Sequence, residues 1–234
     1  AGVMSLEDAV RLVVERGRLM QELPAGGGML AVDCSPETAL AAAAPFREQV
    51  ALAGRNGPSS VVLSGGLKEL GDIADVFAEQ GIRTRPLTVS HAFHSPLMEP
   101  MQAEFEATLG NLELRPPKLP LVSNLSGEID PEAGASVSYW SRHVREAVAF
   151  EPSMRTLVDA GYRVFLEIGP RPVLSGMATR FLDLPEATWA GTLRKMCWAG
   201  CRDTAVAQAL ADPVWSMPAL MCACWRRCFD PPPS

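Results

Sequence analysis

Hydrophobic and polar positions along the chain fall into short, alternating patterns that predict a mixed α/β protein. Ser5-Leu6-Glu7-Asp8 has the form of a capping box and opens a helix to about Leu23, where Pro24 and Gly26-Gly27-Gly28 stop it. At 100° per residue, Leu6, Ala9, Val10, Val13, Gly17 and Met20 fall on one face. Glu7, Asp8, Arg11, Glu15, Arg18 and Glu22 fall opposite. A compact alternation follows, with a strand over 29–34, a helix over 35–44 with Pro36 at its first position, and a strand over 50–53. Asn56-Gly57 is a hairpin signal leading into a partner strand over 60–63. An amphipathic helix over 67–80 and a strand over 82–89 complete the order β-α-β-β-α-β, the ferredoxin-like split arrangement.

After residue 94 the rhythm changes. The pattern predicts a helix over 96–110, a strand over 119–123, and helices over 138–147 and 153–160. An apolar strand over 163–168 then turns through Gly169-Pro170-Arg171-Pro172 into a helix over 173–181. Strand–turn–helix units of this kind favour a mostly parallel α/β sheet. No internal repeat is present. From about Gly191 onward the register dissolves into scattered Cys and Trp and a terminal proline run. The expectation there is an off-pattern tail over 191–234, disordered or frameshifted.

Composition excludes more than it identifies. The chain is 47% hydrophobic with a formal net charge of −6. That balance offers no basic patch for nucleic acid and no cationic amphipathic face for a membrane. No apolar run approaches the roughly 18 residues of a membrane-spanning helix, and Ala1-Gly2-Val3-Met4-Ser5 lacks the regions of a signal peptide. A cytoplasmic chain cut from something longer is expected. Cys197, Cys201, Cys222, Cys224 and Cys228 crowd the end, but their spacings match no paired zinc knuckle. No metal site and no disulfide framework is expected.

Candidate chemistry centres on histidine, of which the chain has three. His91 and His94 share the run His91-Ala92-Phe93-His94-Ser95-Pro96, and His143 follows Tyr139-Trp140. Imidazole titrates nearest neutrality and is the usual general base; the bland alternative is a pair of helix-start residues. Arg16 is a second anomaly. It projects between Ala9 and Leu23, inside the apolar arc of the first helix, and no acidic residue falls on that arc. Either it snorkels past the helix edge or it is a site arginine for an anion.

These residues and several others, in order, resemble the acyltransferase domain of a modular type I polyketide synthase, related to malonyl-CoA:acyl-carrier-protein transacylases. The resemblance covers about residues 1 to 190. It rests on Glu15-Arg16-Gly17-Arg18-Leu19-Met20-Gln21, Asn56-Gly57-Pro58, Val62-Leu63-Ser64-Gly65 and the run from Ser90 to Met98. Leu121-Val122-Ser123-Asn124, Tyr139-Trp140 and Phe165-Leu166-Glu167-Ile168-Gly169-Pro170 complete it. It implies a partial α/β-hydrolase-like large subdomain over 1–28 and 91–190, interrupted by a ferredoxin-like small subdomain over 29–90.

The implied chemistry is a two-step acyl transfer through a serine ester, from malonyl-CoA to the phosphopantetheine thiol of an acyl carrier protein. By resemblance His94 is the general base and acid, oriented by a backbone carbonyl from the segment around His143. Asn124 lies in a supporting loop, and Arg16 pairs with the free carboxylate of a malonyl-type extender. His91-Ala92-Phe93-His94 is the form that accompanies malonyl selection, with Tyr-Ala-Ser-His in methylmalonyl-selective relatives. Phe93 in place of a small Ser would narrow the space beside the α-carbon. One methylene sets about 1–3 kcal/mol of discrimination.

No cofactor of its own and no metal is implied. The partners are the carrier protein and neighbouring synthase domains, with no nucleic acid and no membrane.

The chain departs from the pattern in one respect: the family's nucleophile elbow, Gly-His-Ser-x-Gly, is missing, and no Gly-x-Ser-x-Gly occurs in the 234 residues. Ser64 lies in a predicted strand and is not a substitute. A fragment inactive on its own is therefore expected. The rival readings are a catalytically dead docking remnant and a metal-dependent hydrolase built on His91, His94 and His143.

Overall fold

The computed structural model describes residues 1–169 and 171–192 and the backbone of 220–222. They form two compact units, 1–156 and 157–232. The first opens with helix α1 (Leu6–Gln21), whose first turn is capped by the Ser5 hydroxyl accepting from the Asp8 amide at 3.0 Å. The inward face of α1 is rotated from the one the pattern predicts, which shares only Met20 among its buried residues. Leu6, Val10, Val13 and Val14 are exposed, whereas Leu12, Leu19, Met20 and Leu23 are buried. The helix carries one wide apolar arc, and the protein covers the half of it that includes Arg16.

Next come β1 (Gly27–Val32), α2 (Pro36–Ala43), β2 (Val50–Gly57), β3 (Ser60–Gly66), α3 (Leu67–Glu79) and β4 (Thr84–Pro86). The four strands form an antiparallel sheet in the order β2-β3-β1-β4. Its register sets Leu30 opposite Leu63 and Val32 opposite Val61. Those residues join Val50, Ala39, Ala43, Leu70, Ile73 and Phe77 in one apolar cluster between the sheet and its two helices. This is the βαββαβ arrangement that the alternation implied. Gly65 is required where β3 meets β2, since a Cβ there would lie 2.2 Å from the Gln49 carbonyl oxygen. The last strand is shorter than its apolar run suggested, because Pro86 brings no amide donor. Asp33 N–H to Arg83 O and Leu87 N–H to Met29 O continue the pairing only as single bonds.

Residues 95–160 differ from expectation at two places. The helix expected over 96–110 begins as a 3-10 turn, Pro96–Met101, and becomes α4 (Gln102–Leu109) only beyond Pro100. A proline in that turn removes a backbone donor and clashes with the preceding carbonyl. The strand expected over 119–123 reduces to a single bridge between Val122 and Ile129. Helices α5 (Val137–Arg145) and α6 (Phe150–Asp159) follow.

The second unit carries β5 (Val164–Ile168), α7 (Val173–Ala178), β6 (Thr188–Gly191) and β7 (Leu220–Cys222), with β5 central and parallel to both neighbours. Phe165 stacks on Trp189 at 4.4 Å between ring centroids. The buried Glu167 carboxylate accepts from the amides of Val173, Leu174 and Ser175 and from the Ser175 hydroxyl, at 2.8–3.0 Å. It thus satisfies the open N–H groups at the start of α7. The tail expected over 191–234 lies outside the described residues except for Gly191, Thr192 and the three residues of β7.

Candidate functional site

His94 sits in the loop between β4 and the Pro96–Met101 turn, with a backbone φ of 59°. Left-handed backbone at a non-glycine residue is costly and persists where the surroundings over-determine it. Two bonds do so on the C-terminal side. The Ser95 hydroxyl donates to the Ala92 carbonyl at 2.6 Å and accepts from the Leu97 amide at 3.2 Å, closing a tight turn around His94. The imidazole is 1% exposed, and its Nδ1 lies 2.8 Å from the Glu146 carbonyl oxygen. An Nδ1–H donated to a carbonyl leaves Nε2 as the basic nitrogen.

That carbonyl is itself held in place. Glu146 ends α5 in an extended conformation, ψ 161°, which swings its C=O out of the helical direction. Two residues on, the Val148 amide donates to Ala53 O and the Arg55 amide donates to Val148 O, both at 2.9 Å. The Ala149 amide donates to Asn124 O at 2.8 Å. The segment that orients His94 is therefore pinned by the β2 edge on one side and by the loop containing Asn124 on the other. Asn124 contributes through its backbone.

His143 lies in the last turn of α5, its ring 6.0 Å from that of His94 at 78°. It stacks on Tyr139 at 6.1 Å and tilts against Trp140 at 5.9 Å. The Trp140 indole is in turn anchored by donation to Gly134 O at 2.9 Å. His143 Nδ1 is buried and makes no hydrogen bond among the described residues.

Both rings share one electrostatic environment. Burial first, and then the positive charge of Arg16, push His94 down to about 4; its bonds to the Glu146 and His143 backbone oppose this. Burial, Arg16 and the neighbouring His94 push His143 down to about 3. Both imidazoles are neutral at pH 7. Arg16 is half-buried on α1, and its charge reaches both rings.

Phe93 is buried, and its ring lies 6.2 Å from that of His91. His91, which the resemblance places with Phe93 beside the substrate, has its Nε2 3.2 Å from the Leu23 carbonyl oxygen, just past the end of α1. Ser64 is fully buried and donates to Gly28 O at 3.3 Å within the sheet, away from any nucleophilic role.

The fold thus brings together Arg16, His94 and His143, with Phe93 and His91 in the same loop and Asn124 one layer behind. Sequence reasoning missed Ser95, Glu146 and Val148. Ser95 was legible as a cap before Pro96. Glu146 and Val148 act through main-chain atoms and leave no side-chain signal. Among the described residues no group of His, Cys, Asp or Glu is arranged to hold a metal ion. The five late cysteines lie outside the residues whose side chains are described. No described helix is long and apolar enough to cross a membrane.

The arrangement can do proton transfer beside an anion. A family model described as an acyl transferase domain matches residues 1–209. Over 192 residues the chain is 47% identical to the spectinabilin polyketide synthase system protein NorB of Streptomyces orinoci, covering 81% of this chain and 9% of that protein. Over 197 residues it is 46% identical to the phenolphthiocerol synthesis polyketide synthase type I Pks15/1 of Mycobacterium marinum, covering 83% and 9%.

Among solved structures, the acyltransferase domain from the second module of the salinomycin polyketide synthase matches with a TM-score of 0.80 at 45% identity, covering 83% of this chain and 46% of that one. A malonyl CoA-acyl carrier protein transacylase from Clostridium perfringens matches at 0.78 and 27% identity, covering 89% and 65%. The chain spans less than a tenth of these curated relatives and about half of the polyketide synthase domain.

Proposed function

The chain belongs to the acyl transferase domain family, and from that premise we propose that it carries the proton-transfer and carboxylate-binding part of a malonyl-transferring site. The observation that carries this reading is the buried His94, held through Nδ1 by the Glu146 carbonyl and within reach of the Arg16 charge.

In this reading the nucleophilic serine comes from polypeptide outside these 234 residues, since none of their serines stands in an elbow motif. His94 Nε2 takes the serine hydroxyl proton as the oxygen attacks the malonyl-CoA thioester carbonyl. It then returns that proton to the departing CoA sulfur. The same nitrogen next accepts the thiol proton of a carrier protein's phosphopantetheine, whose sulfur attacks the serine ester, and gives it to the serine oxygen as the new thioester forms. A carbonyl can serve in place of a carboxylate behind this histidine because it fixes the tautomer and ring plane.

Arg16 binds the free carboxylate of the malonyl group, for which a guanidinium offers a charged, planar pair of donors. A carboxylate docked there also offsets the charge that depresses His94, so the base strengthens when the substrate is in place. Phe93, already packed in the interior, leaves little room for an α-methyl and favours malonyl. The partners are an acyl carrier protein domain and the neighbouring domains of a synthase.

A second reading, a docking remnant without activity, is favoured by the missing elbow alone. Radiolabelled malonyl transfer to a carrier protein separates the two. The assay compares the 234-residue chain, the chain joined to the nucleophile-bearing segment of its domain, and the joined form with His94→Ala. The joined form should transfer malonyl and His94→Ala should lose about 100-fold or more. Full rate in His94→Ala would remove His94 from the mechanism. A joined form without activity would favour the remnant.

A further inference from the structure

We propose that His91 is a positioning residue for Arg16: its imidazole holds the end of α1, and through that helix it sets where the guanidinium stands. The proposal rests on the reading of Arg16 as the carboxylate-binding residue.

The last carbonyls of a helix have no partner within it, and beyond α1 the chain turns sharply through Pro24 and Gly26, the latter at φ 108°. The backbone bonds at this end are long, although Arg18 there also pairs with Glu22 and with Glu104 of α4. Glu22 N–H reaches Arg18 O at 3.3 Å and Leu23 N–H reaches Met20 O at 3.4 Å. Leu23 is buried, so its carbonyl needs a donor, and the His91 Nε2 at 3.2 Å comes from 68 residues further along the chain. His91 Nδ1 is buried with no hydrogen bond among the described residues, which makes Nε2–H the donating tautomer.

A second contact acts on the same connection. Ala92 is seated against Gly27, where a Cβ would lie 2.8 Å from the Ala92 Cβ and 2.9 Å from its nitrogen. The first two residues of the His91-Ala92-Phe93-His94 run thus grip the α1–β1 turn from both ends, while the fourth is the general base.

Arg16 stands in α1 five residues before its last residue, Gln21, and Leu23 follows two residues beyond that end. In this proposal, loss of the His91 bond lets the C-terminal end of α1 shift and carries the guanidinium with it relative to His94. The first position of the run therefore influences acyl choice through α1, separately from the space that Phe93 occupies.

The test compares His91→Ala, His91→Gln and His91→Asn. Glutamine can place an amide N–H close to the position of Nε2, whereas asparagine reaches only as far as Nδ1. In the 234-residue chain, amide hydrogen exchange over 20–27 should quicken about three- to tenfold in His91→Ala and His91→Asn, the factor carried by one net hydrogen bond. It should stay near the parent value in His91→Gln, with the β1–β3 amides unchanged in all three.

In the joined form, the malonyl-to-acetyl loading ratio should fall about threefold or more in the Ala and Asn variants and recover in Gln. Adding His91→Ala to Arg16→Ala should not lower the ratio further. An unchanged ratio in His91→Ala, or full additivity with Arg16→Ala, would overturn the proposal while leaving the role of Arg16 intact. An unchanged ratio in Arg16→Ala would overturn the reading of Arg16 itself, and this proposal with it.

Discussion

Replacing Arg16 by methionine keeps the aliphatic reach of the side chain and removes its charge, and the histidines should report the loss directly. His94 lies at about 4 against an ordinary 6.5, a gap worth roughly 3 kcal/mol between its two protonation states. Burial is the larger cause and remains in the variant, so the recovery is partial. We expect a rise of about one pH unit, or about 1.4 kcal/mol. His143, depressed by the same arginine, should rise with it.

The sign for stability follows from proton binding. Between pH 6.5 and about 4 the unfolded chain holds a proton on this histidine and the folded protein does not, so stability falls as the solution is acidified through that window. The full loss is reached below the folded pKa. Arg16→Met raises the folded pKa, narrows the window from its acid side, and should lessen the acid loss by the same 1.4 kcal/mol or so. Imidazole NMR titration is direct, because only three histidines contribute. Urea denaturation at several pH values gives the linked stability. A His94 midpoint that stays put or falls in Arg16→Met would refute the reasoning.

Three further outcomes are expected. Glu167→Ala strips the start of α7 of a carboxylate that accepts four hydrogen bonds and should destabilise the protein by about 2–4 kcal/mol, read by denaturant unfolding; a change under 0.5 kcal/mol would contradict the role of that carboxylate. At position 94, His94→Gly should be more stable than His94→Ala by about 1 kcal/mol in the same assay, because φ 59° suits glycine and strains alanine; the reverse order would show that the left-handed backbone relaxes. His91→Tyr with Phe93→Ser should raise methylmalonyl loading relative to malonyl in competition kinetics by up to the 1–3 kcal/mol that one methylene carries, at some cost in total rate; an unchanged ratio would remove Phe93 from selectivity.

The apolar run holding Leu30 and Val32, with the helix of Leu70, Ile73 and Phe77, made the βαββαβ sheet legible, because its core is local. Arg16 was legible for the opposite reason, as a charge where the pattern called for an apolar group, and His94 through the rarity of histidine and the run it ends. What stayed hidden was main-chain chemistry. The Glu146 carbonyl, its extended backbone and the bonds that brace Val148 leave no mark on side-chain pattern. The bond from His91 to Leu23 was equally hidden, because it spans 68 residues and ends on a main-chain carbonyl. The inward face of α1 was placed off-centre because its apolar arc is wide, and counting cannot say which half of it is covered.

The account stands most directly on Arg16, and the decisive measurement is the loading of malonyl against acetyl by the joined form with Arg16→Ala. Only malonyl presents a second carboxylate, so its loading should fall more than that of acetyl by about ten- to a hundredfold, the factor of one charge-assisted hydrogen bond. Equal losses for the two acyl groups would contradict the account and make Arg16 a structural residue of α1.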